Sequence, residues 1–493
     1  MTVPTDVRQG QYDKVFIGGA WVTPATEDRF AVVSPATEEV LARVAEGSVA
    51  DIDAAVAAAR TAFDSGPWPR SDLSERIAVL TRVSEALAAR QDEVARLISA
   101  EMGCPITLST RMQSMGTRML LDAFLELAPR YSWSDVRRSV TGNALVTREP
   151  VGVVAAIVPW NAPLQIAIIK LAPALLAGCT AILKPSPETA LSAYLLAEIF
   201  AEAGLPEGVL NVVVAGREVS EHLVRHPGVD KVSFTGSTAA GRRIAAICGQ
   251  DLRRVTLELG GKSAAVLLDD ADLDAVVPVI RALSLRNSGQ VCSNKTRIVV
   301  ARSLRDDLYD RLRDMVGSMP VGDPFDPATE IGPLVSAAQR ERVEYFVAAA
   351  KAEGTEILVG GGRPDGLERG WYVQPTVFAD VDPDARIAQE EVFGPVLTVH
   401  TFDTEDEAIA IANNSPYGLN GSVFAADPAR ALSVARRIRT GTVEINGTPA
   451  GFFAPIGGFK NSGIGREAGL EGFDAYVEPK SYGLPPALLD TLG

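Results

Sequence analysis

The sequence predicts an α/β protein with two doubly wound domains, each built on a mainly parallel sheet, and a small separate β element. Three observations carry this. Between 151 and 260, short apolar strands such as VGVVAAIV, TAILK, VLNVVV, KVSFT and VTLEL alternate with helical segments, the rhythm of a parallel sheet with crossover helices. After Gly260 and Gly261 the rhythm restarts with SAAVLL, TRIVVA, ILVG, PVLTVHTF, GSVFA and GTVEIN. Third, RRSVTGNALVTREP places a turn signal, Thr141-Gly142-Asn143, between two β-like runs, which reads as a projecting hairpin in need of a partner surface.

The remaining elements follow in order. Up to about residue 50 the chain reads as short strands, one pair turning at Gly18 and Gly19, and Ala-rich helical patterns fill 51 to about 133. The most apolar region, 151–183, is interrupted by Pro159, Asn161, Pro163, Lys170 and Pro173, so no membrane span is expected. From 471 to 493 a β-like run and the tail SYGLPPALLDTLG are expected to pair with the hairpin or with another subunit.

Composition excludes several function classes. Among 493 residues, 47 Lys+Arg face 62 Asp+Glu, a net charge of −15 with no basic stripe, so nucleic acid is not an expected partner. Charged residues at 22% beside 47% hydrophobic ones describe a folded interior rather than disorder. The cysteines form no Cys-x-x-Cys pair and the N-terminus has no basic-then-apolar pattern, so the expected compartment is a reducing cytoplasm. His222, His226 and His400 are read as not clustering at ligand spacing, and no metal site is expected.

Only a thiolate in a polar, accessible setting is a good nucleophile. Cys179 in LLAGCTAIL, Cys248 on an amphipathic helix and Cys104 in MGCP read as packing residues. Cys292 lies in a polar helix-to-strand loop, after Asn287-Ser288-Gly289-Gln290 and before Ser293-Asn294-Lys295, and on context alone stands open between a catalytic and a structural role. Glu258, ending VTLEL before Gly260-Gly261, is the best candidate base, with a solvated strand end as the alternative. GSTAAG, from Gly236 through Ser237 to Gly241, follows a strand and opens a helix. It suits a pyrophosphate or simple helix-start packing, and it lacks the Gly-x-Gly-x-x-Gly spacing. Lys184 ends TAILK, where a ribose or phosphate contact and a solvated end compete. Asn161 in PWNAP is either a hydrogen-bond donor into a site or a helix N-cap.

Taken in order, PWNAP, the KP of LKPSPE, FTGSTAAG, LELGGK, GQVC, EEVFGP, GTVEIN and GGFKNSGIGRE resemble the aldehyde dehydrogenase superfamily over nearly the whole chain. The resemblance implies a Rossmann-like cofactor domain from 1–129 and 151–260, a catalytic domain over 261–461, and an oligomerisation element from 130–150 and 462–493. It implies NAD as cofactor, a small aldehyde as substrate, and a homodimer or homotetramer. By similarity Cys292 is the nucleophile, Asn161 and the Cys292 backbone N–H form the oxyanion hole, Glu258 activates the hydrolytic water, and Glu467 assists proton movement. Glu391 and Phe393 would hold the nicotinamide ribose and ring, Trp160 and Lys184 would border the cofactor, and Gly236, Ser237 and Gly241 would meet its pyrophosphate.

Where many NAD-using members carry a glutamate three residues after Lys184, this chain has Pro187, with Glu188 one place later, so NADP is admitted beside NAD. If a helix follows Asn161, then Gln165, Ile166 and Ile169 lie on or beside one face. With Ala162, Val291 and Ser293 around the nucleophile, and Phe452 or Phe453, they suggest a mainly apolar tunnel for an aliphatic or aryl aldehyde. Lys295, three residues past Cys292, is a cation that could receive a substrate carboxylate. The rivals are an acylating enzyme passing the acyl group to coenzyme A, which generally lacks the glutamate at position 258, a non-enzymatic crystallin-like protein, and a thiol hydrolase, which would want a Cys–His pair.

Overall fold

The computed structural model describes residues 12–489; the first eleven residues and the last four of the tail, which complete two of the expected segments, lie outside the described residues. The first sheet has eight strands. Its five parallel strands are Arg254–Glu258, Lys231–Thr235, Val153–Ile157, Thr180–Lys184 and Leu210–Val212, in that spatial order. Antiparallel strands extend both edges, Gly463–Ile464 beside Arg254–Glu258, and Val15–Ile17 with Ala20–Val22 beyond Leu210–Val212. Residues late in the chain therefore complete the sheet that carries Glu258.

The apolar stretch that could be mistaken for a membrane span is a strand, helix and strand of this domain. Its helix Pro163–Ala177, which begins with proline and ends on left-handed Gly178, is buried on nearly all sides. One side meets the sheet and others meet the helices Leu73–Ala89 and Gly116–Leu127. No described helix is long and apolar enough to cross a membrane. The N-terminal helical region behaves as its patterning predicts, beginning with Val49–Asp64 under a reciprocal Ser48–Asp51 capping box.

The chain leaves the first sheet at Glu258, passes Gly260 and Gly261, and enters the second at Ala264–Leu267. That seven-stranded sheet runs Ile357–Val359, Thr376–Phe378, Val396–Phe402, Arg297–Ala301, Ala264–Leu267, Gly421–Phe424 and Glu444–Ile445. Thr376–Phe378 was not anticipated: the strand is only three residues long and follows a Gly- and Pro-rich loop. No helix separates it from Ile357–Val359, so this pair alone is antiparallel. The expected hairpin is present as Ser134–Ser139 and Gly142–Pro150, and the C-terminal strand Val477–Leu484 pairs along its full length with the latter.

Candidate active site

The C-terminal ends of the first sheet and the entry edge of the second meet around Cys292. The loop leading to it is strained, because Asn287, Ser288 and Gly289 all take positive φ, at 54°, 54° and 78°. For the two non-glycine residues such a conformation costs roughly 1–3 kcal/mol each, so the surroundings must hold it in place. They do so with buried hydrogen bonds. Asn287 Nδ2 donates to the Asn161 carbonyl at 3.2 Å, Ser288 Oγ to the Gly332 carbonyl at 2.9 Å, and Gln290 Oε1 accepts the Val335 N–H at 3.0 Å. Gly261 approaches so closely that a Cβ there would lie 2.5 Å from the Cys292 carbonyl oxygen. The four cysteines divide as expected: Cys104, Cys179 and Cys248 are buried and Cys292 is partly exposed.

Asn161 is not a helix cap, since Ala162 occupies the cap of Pro163–Ala177 and no side chain caps it. Instead its Nδ2 donates to the Gln290 carbonyl at 3.0 Å, and its own carbonyl accepts from Gln113 Nε2 at 2.9 Å. A side-chain amide has two N–H donors. One fixes Asn161 to the loop that carries Cys292.

Glu258 is 7% exposed, and its Oε1 is buried without a hydrogen-bond partner. Burial first, and the neighbouring Glu467 second, push its carboxyl well above the ordinary carboxylate range. Glu467 is differently placed: its Oε1 meets Lys170 Nζ at 2.5 Å and Ser233 Oγ at 3.2 Å, all three side chains being buried. Lys170 had shown in the sequence only as a break in an apolar run. A lysine on a helix buried all round requires a partner, and that partner is Glu467. The Cys292 thiol is pushed up to about 12 by burial, then by Glu391 and Glu258, with Arg286 opposing. At neutral pH the sulfur therefore keeps its proton until a base removes it.

Beside this pocket a cleft of about 620 Å³ runs along the first sheet, lined among others by Lys184, Pro187, Glu188, Phe234 and Ser237. Lys184 is lowered to about 8 by burial, against the favourable charge of Glu188, and Glu188 is held by Ser186 Oγ. Ser237 caps the helix Thr238–Gln250 by accepting the Ala240 N–H, so the packing reading of this motif holds for its side chain while the helix start remains open to an anion. A Cβ at Gly241 would meet Leu259 at 2.4 Å, so that glycine lets the helix close on the chain after Glu258. Nearer Cys292, Glu391 accepts the Gly261 N–H at 3.0 Å and is raised to about 7 by burial. Phe393 sits at φ 61° with its ring edge-on to Trp160, centroids 5.4 Å apart. Thr235 Oγ1 is buried without a partner near the strand end. A cleft of this size, with a cationic end and an open helix start, fits a dinucleotide.

On the substrate side, Ala162 and Ile169 are buried, and Ile166 and Phe452 are half-buried against the main core. Gln165 Nε2 occupies the space a side chain at Gly116 would need. Val291 and Ser293 flank the thiol half-buried, and Phe453 is exposed, with Arg130 over its ring. Lys295, read in the sequence as a cation open to a substrate carboxylate, is committed to Glu444 at 2.7 Å, and both are buried.

One expectation is corrected outside the site. His222 and His226, four residues apart, do come together, with Asp53 as third member and its Oδ1 2.6 Å from His222 Nε2. The i, i+4 spacing was the overlooked signal. His226 Nδ1 accepts the Gly228 N–H at 3.0 Å, which in the neutral ring leaves the proton on Nε2, towards Asp53. The sequence reading also gave no role to Gln113, Gln290 or Lys170. Each acts through a contact distant in sequence, and only an uncharacteristic polar residue in an apolar helix or loop could have marked it.

A nucleophile loop clamped by an amide, facing an unpartnered buried carboxylate beside a dinucleotide-sized cleft, is the arrangement of a cofactor-dependent aldehyde oxidoreductase. The aldehyde dehydrogenase family profile matches residues 21–482, and the chain belongs to that family. It is 47% identical over 471 residues to the geranial dehydrogenase of Castellaniella defragrans, covering 95% of this chain and 98% of that one. With the 3-succinoylsemialdehyde-pyridine dehydrogenase of a Pseudomonas species it shares 44% identity over 474 residues, 95% and 98% of the two chains. Among solved structures, the NAD+ complex of a Mycobacterium tuberculosis aldehyde dehydrogenase superposes with a TM-score of 0.95 at 49% identity, covering 96% and 98%. A cysteine-to-alanine mutant of aldehyde dehydrogenase C from Pseudomonas syringae, complexed with NAD+ and octanal, gives 0.95 at 42% identity, covering 98% and 99%.

Proposed function

We propose that this NAD-dependent aldehyde dehydrogenase converts an apolar aldehyde to its carboxylic acid through a thioester on Cys292 that Glu258 hydrolyses. The carrying observation is the buried, unpartnered Oε1 of Glu258, close enough to Cys292 for its charge to raise the thiol. A carboxylate so held has the basicity to take a proton from water near neutral pH. The Cys292 sulfur attacks the aldehyde carbon, and the free N–H of Asn161 with the Cys292 backbone N–H receives the alkoxide, an effect worth about 3 kcal/mol per donor. The cofactor, when bound, supplies the hydride acceptor. Lys184, the start of helix Thr238–Gln250, Glu391 and Phe393 would hold it. The thioester left on sulfur is then open to water activated by Glu258, and Glu467, kept in place by Lys170, takes part in moving the proton.

The NAD+ complexes of the neighbouring structures support NAD, and Glu188, turned back by Ser186 beside Lys184, offers a carboxylate where Pro187 has none. The commitment of Lys295 to Glu444 and the apolar wall support an uncharged aliphatic or aryl substrate, in keeping with the octanal and geranial named for two relatives. The exposed strand Ser134–Ser139, at the edge of a sheet closed by the C-terminal strand, supports a homodimer or homotetramer joined there. Four unpaired cysteines support a cytoplasmic setting.

Glu258→Gln tests the hydrolytic step. The variant should show a rapid burst of reduced nicotinamide approaching one per active subunit, then a steady rate lowered about 10²-fold. In the unmutated enzyme the steady rate should fall with acid through a pKa above the usual carboxylate range, because protonating Glu258 removes the base. An unchanged steady rate in the variant, or acyl-CoA as main product when coenzyme A is supplied, would refute the reading.

A further inference from the structure

Strand alternation sets a polar column on one face of the first sheet. Val232, Phe234 and Leu257 point into one apolar core. Lys231, Ser233, Thr256 and Glu258 therefore face the other way, with Ser233 beside Thr256 and Thr235 beside Glu258 in register. At the catalytic end stands Glu258. At the opposite end the buried Lys231 donates from Nζ to Thr256 Oγ1 at 2.7 Å, and both residues line a second cavity of about 570 Å³. Arg254, Arg466, Asp474 and Glu478 also line that cavity, which lies beside the C-terminal strand. Between the ends, Glu467 Oε1 is 3.2 Å from Ser233 Oγ, and Ser233 Oγ is 3.2 Å from the hydroxyl of the buried Tyr476. Lys231 Nζ lies 5.5 Å from the centroid of the Tyr476 ring.

Buried charge of this kind is a poor source of stability, because desolvation offsets the attraction. A run of such groups, extending from the reactive carboxylate to a cavity on the far side, calls for another explanation. The hydrolytic step creates the need: each turnover leaves one proton on Glu258, which sits 7% exposed. The Cys292 side of the pocket is at that moment filled by the acyl group.

We propose that the proton leaves along this column, from Glu258 through Glu467 and Ser233 to Thr256 and Lys231, and that Lys231 is the outer relay residue delivering it to water in the second cavity. The inference rests on the reading of Glu258 as hydrolytic base. One proton enters as Glu258 takes it from water and one leaves as the Lys231 ammonium releases one to the cavity. Each hydroxyl between accepts one proton and passes on another, and Lys231 is recharged from Thr256. Ser233 and Thr256, neighbours on adjacent strands, are within the reach of one bridging water. Burial lowers Lys231 to about 8, with Glu467 acting against the shift, which suits a group that must release and regain a proton near neutrality. The charged and titratable groups facing it are Glu467, Lys170, Tyr476, Cys179 and Cys248, besides those of the cavity rim.

Lys231→Met and the near-isosteric Thr256→Val, in the intact enzyme, test the relay. Both should keep the rapid burst of reduced nicotinamide and lower the steady rate about tenfold, less than the loss of the base itself. The solvent deuterium isotope effect on the steady rate should rise. Methylamine or imidazole in the buffer should restore much of the rate to Lys231→Met, and Lys231→Arg, whose guanidinium keeps the charge but does not release a proton near neutrality, should be as slow as Lys231→Met. A steady rate and isotope effect unchanged in both variants, while Glu258→Gln is slow, would overturn the relay and leave the hydrolytic reading intact. A burst that falls in step with the steady rate, or a loss no amine restores, would show a merely structural role and equally overturn it. Failure of Glu258→Gln to slow the enzyme would instead remove the reading on which the relay rests.

Discussion

The loop that carries Cys292 and the cleft beside Lys184 border one site but are held by different forces. Three successive left-handed residues precede Cys292, and buried hydrogen bonds from the loop to distant segments, at Asn161, Gly332 and Val335, fix that conformation. The cleft has few such clamps. Its rim carries charges whose partners are on or near the surface, such as Glu221 with Arg243 and Arg225. Reacting atoms must be placed within a fraction of an ångström, which calls for buried hydrogen bonds, whereas a nucleotide with many contacts tolerates a softer wall. Substitutions in the loop should therefore act on turnover and those in the cleft on relative affinity.

The largest effect is expected at the nucleophile. Cys292→Ala should lower aldehyde oxidation by at least about 10³-fold while cofactor binding, followed by fluorescence titration, changes little. Joint replacement of Cys104, Cys179 and Cys248 should leave the burst intact. Loss of cofactor binding in Cys292→Ala would merge the two regions and break the comparison.

Asn161→Ala removes both the proposed oxyanion donor and the clamp on the Gln290 carbonyl. Turnover should fall about 10²- to 10³-fold, with KM for the cofactor nearly constant. Gln290→Ala leaves the donor and its backbone contact in place and removes the clamp of Gln290 Oε1 on the Val335 N–H: a comparable loss would make the rigidity of the loop the larger part.

Substrate choice should come next in size. Hexanal and benzaldehyde should exceed succinic semialdehyde in kcat/KM by about tenfold or more, a difference of the order an apolar pocket provides. A preference for the semialdehyde would mean that Arg286, which donates to Ser293 Oγ at 3.2 Å, rather than the paired Lys295, receives a carboxylate.

The smallest effect belongs to the cleft. NAD should be used best and NADP measurably, and Glu188→Gln should raise the NADP to NAD ratio of kcat/KM several-fold by removing a charge near a 2′-phosphate. No change in that ratio would assign cofactor choice to another part of the wall.

How much was legible in the sequence follows the same division. The strands of both sheets announced themselves by apolar runs and helix spacing, and Cys292 stood apart from the other cysteines by its polar neighbours alone. Ordered motifs then singled out Glu258 and Asn161, which the structure finds buried, the latter bonded to the loop of Cys292. What stayed hidden was pairing across sequence distance. Nothing near Lys170 points to Glu467, some three hundred residues on. Thr376–Phe378 was missed because a three-residue strand in a glycine-rich stretch has no period to detect. The histidine pair was missed although its spacing was visible, because Asp53 comes from another helix.

The edge strand Gly463–Ile464 bears on how the protein is made. Ribosomes deliver the chain from its N-terminus, and domains begin to fold as they emerge. Glu258 and Cys292 are exported long before Gly463 pairs with Glu258 and Glu467 reaches Lys170. A nascent chain can hold both sheets and the nucleophile, yet it lacks the segment that closes the carboxylate's surroundings. On the proposed mechanism, competence to turn over waits for this late segment, and a ribosome stalled before residue 463 would carry the thiol without it.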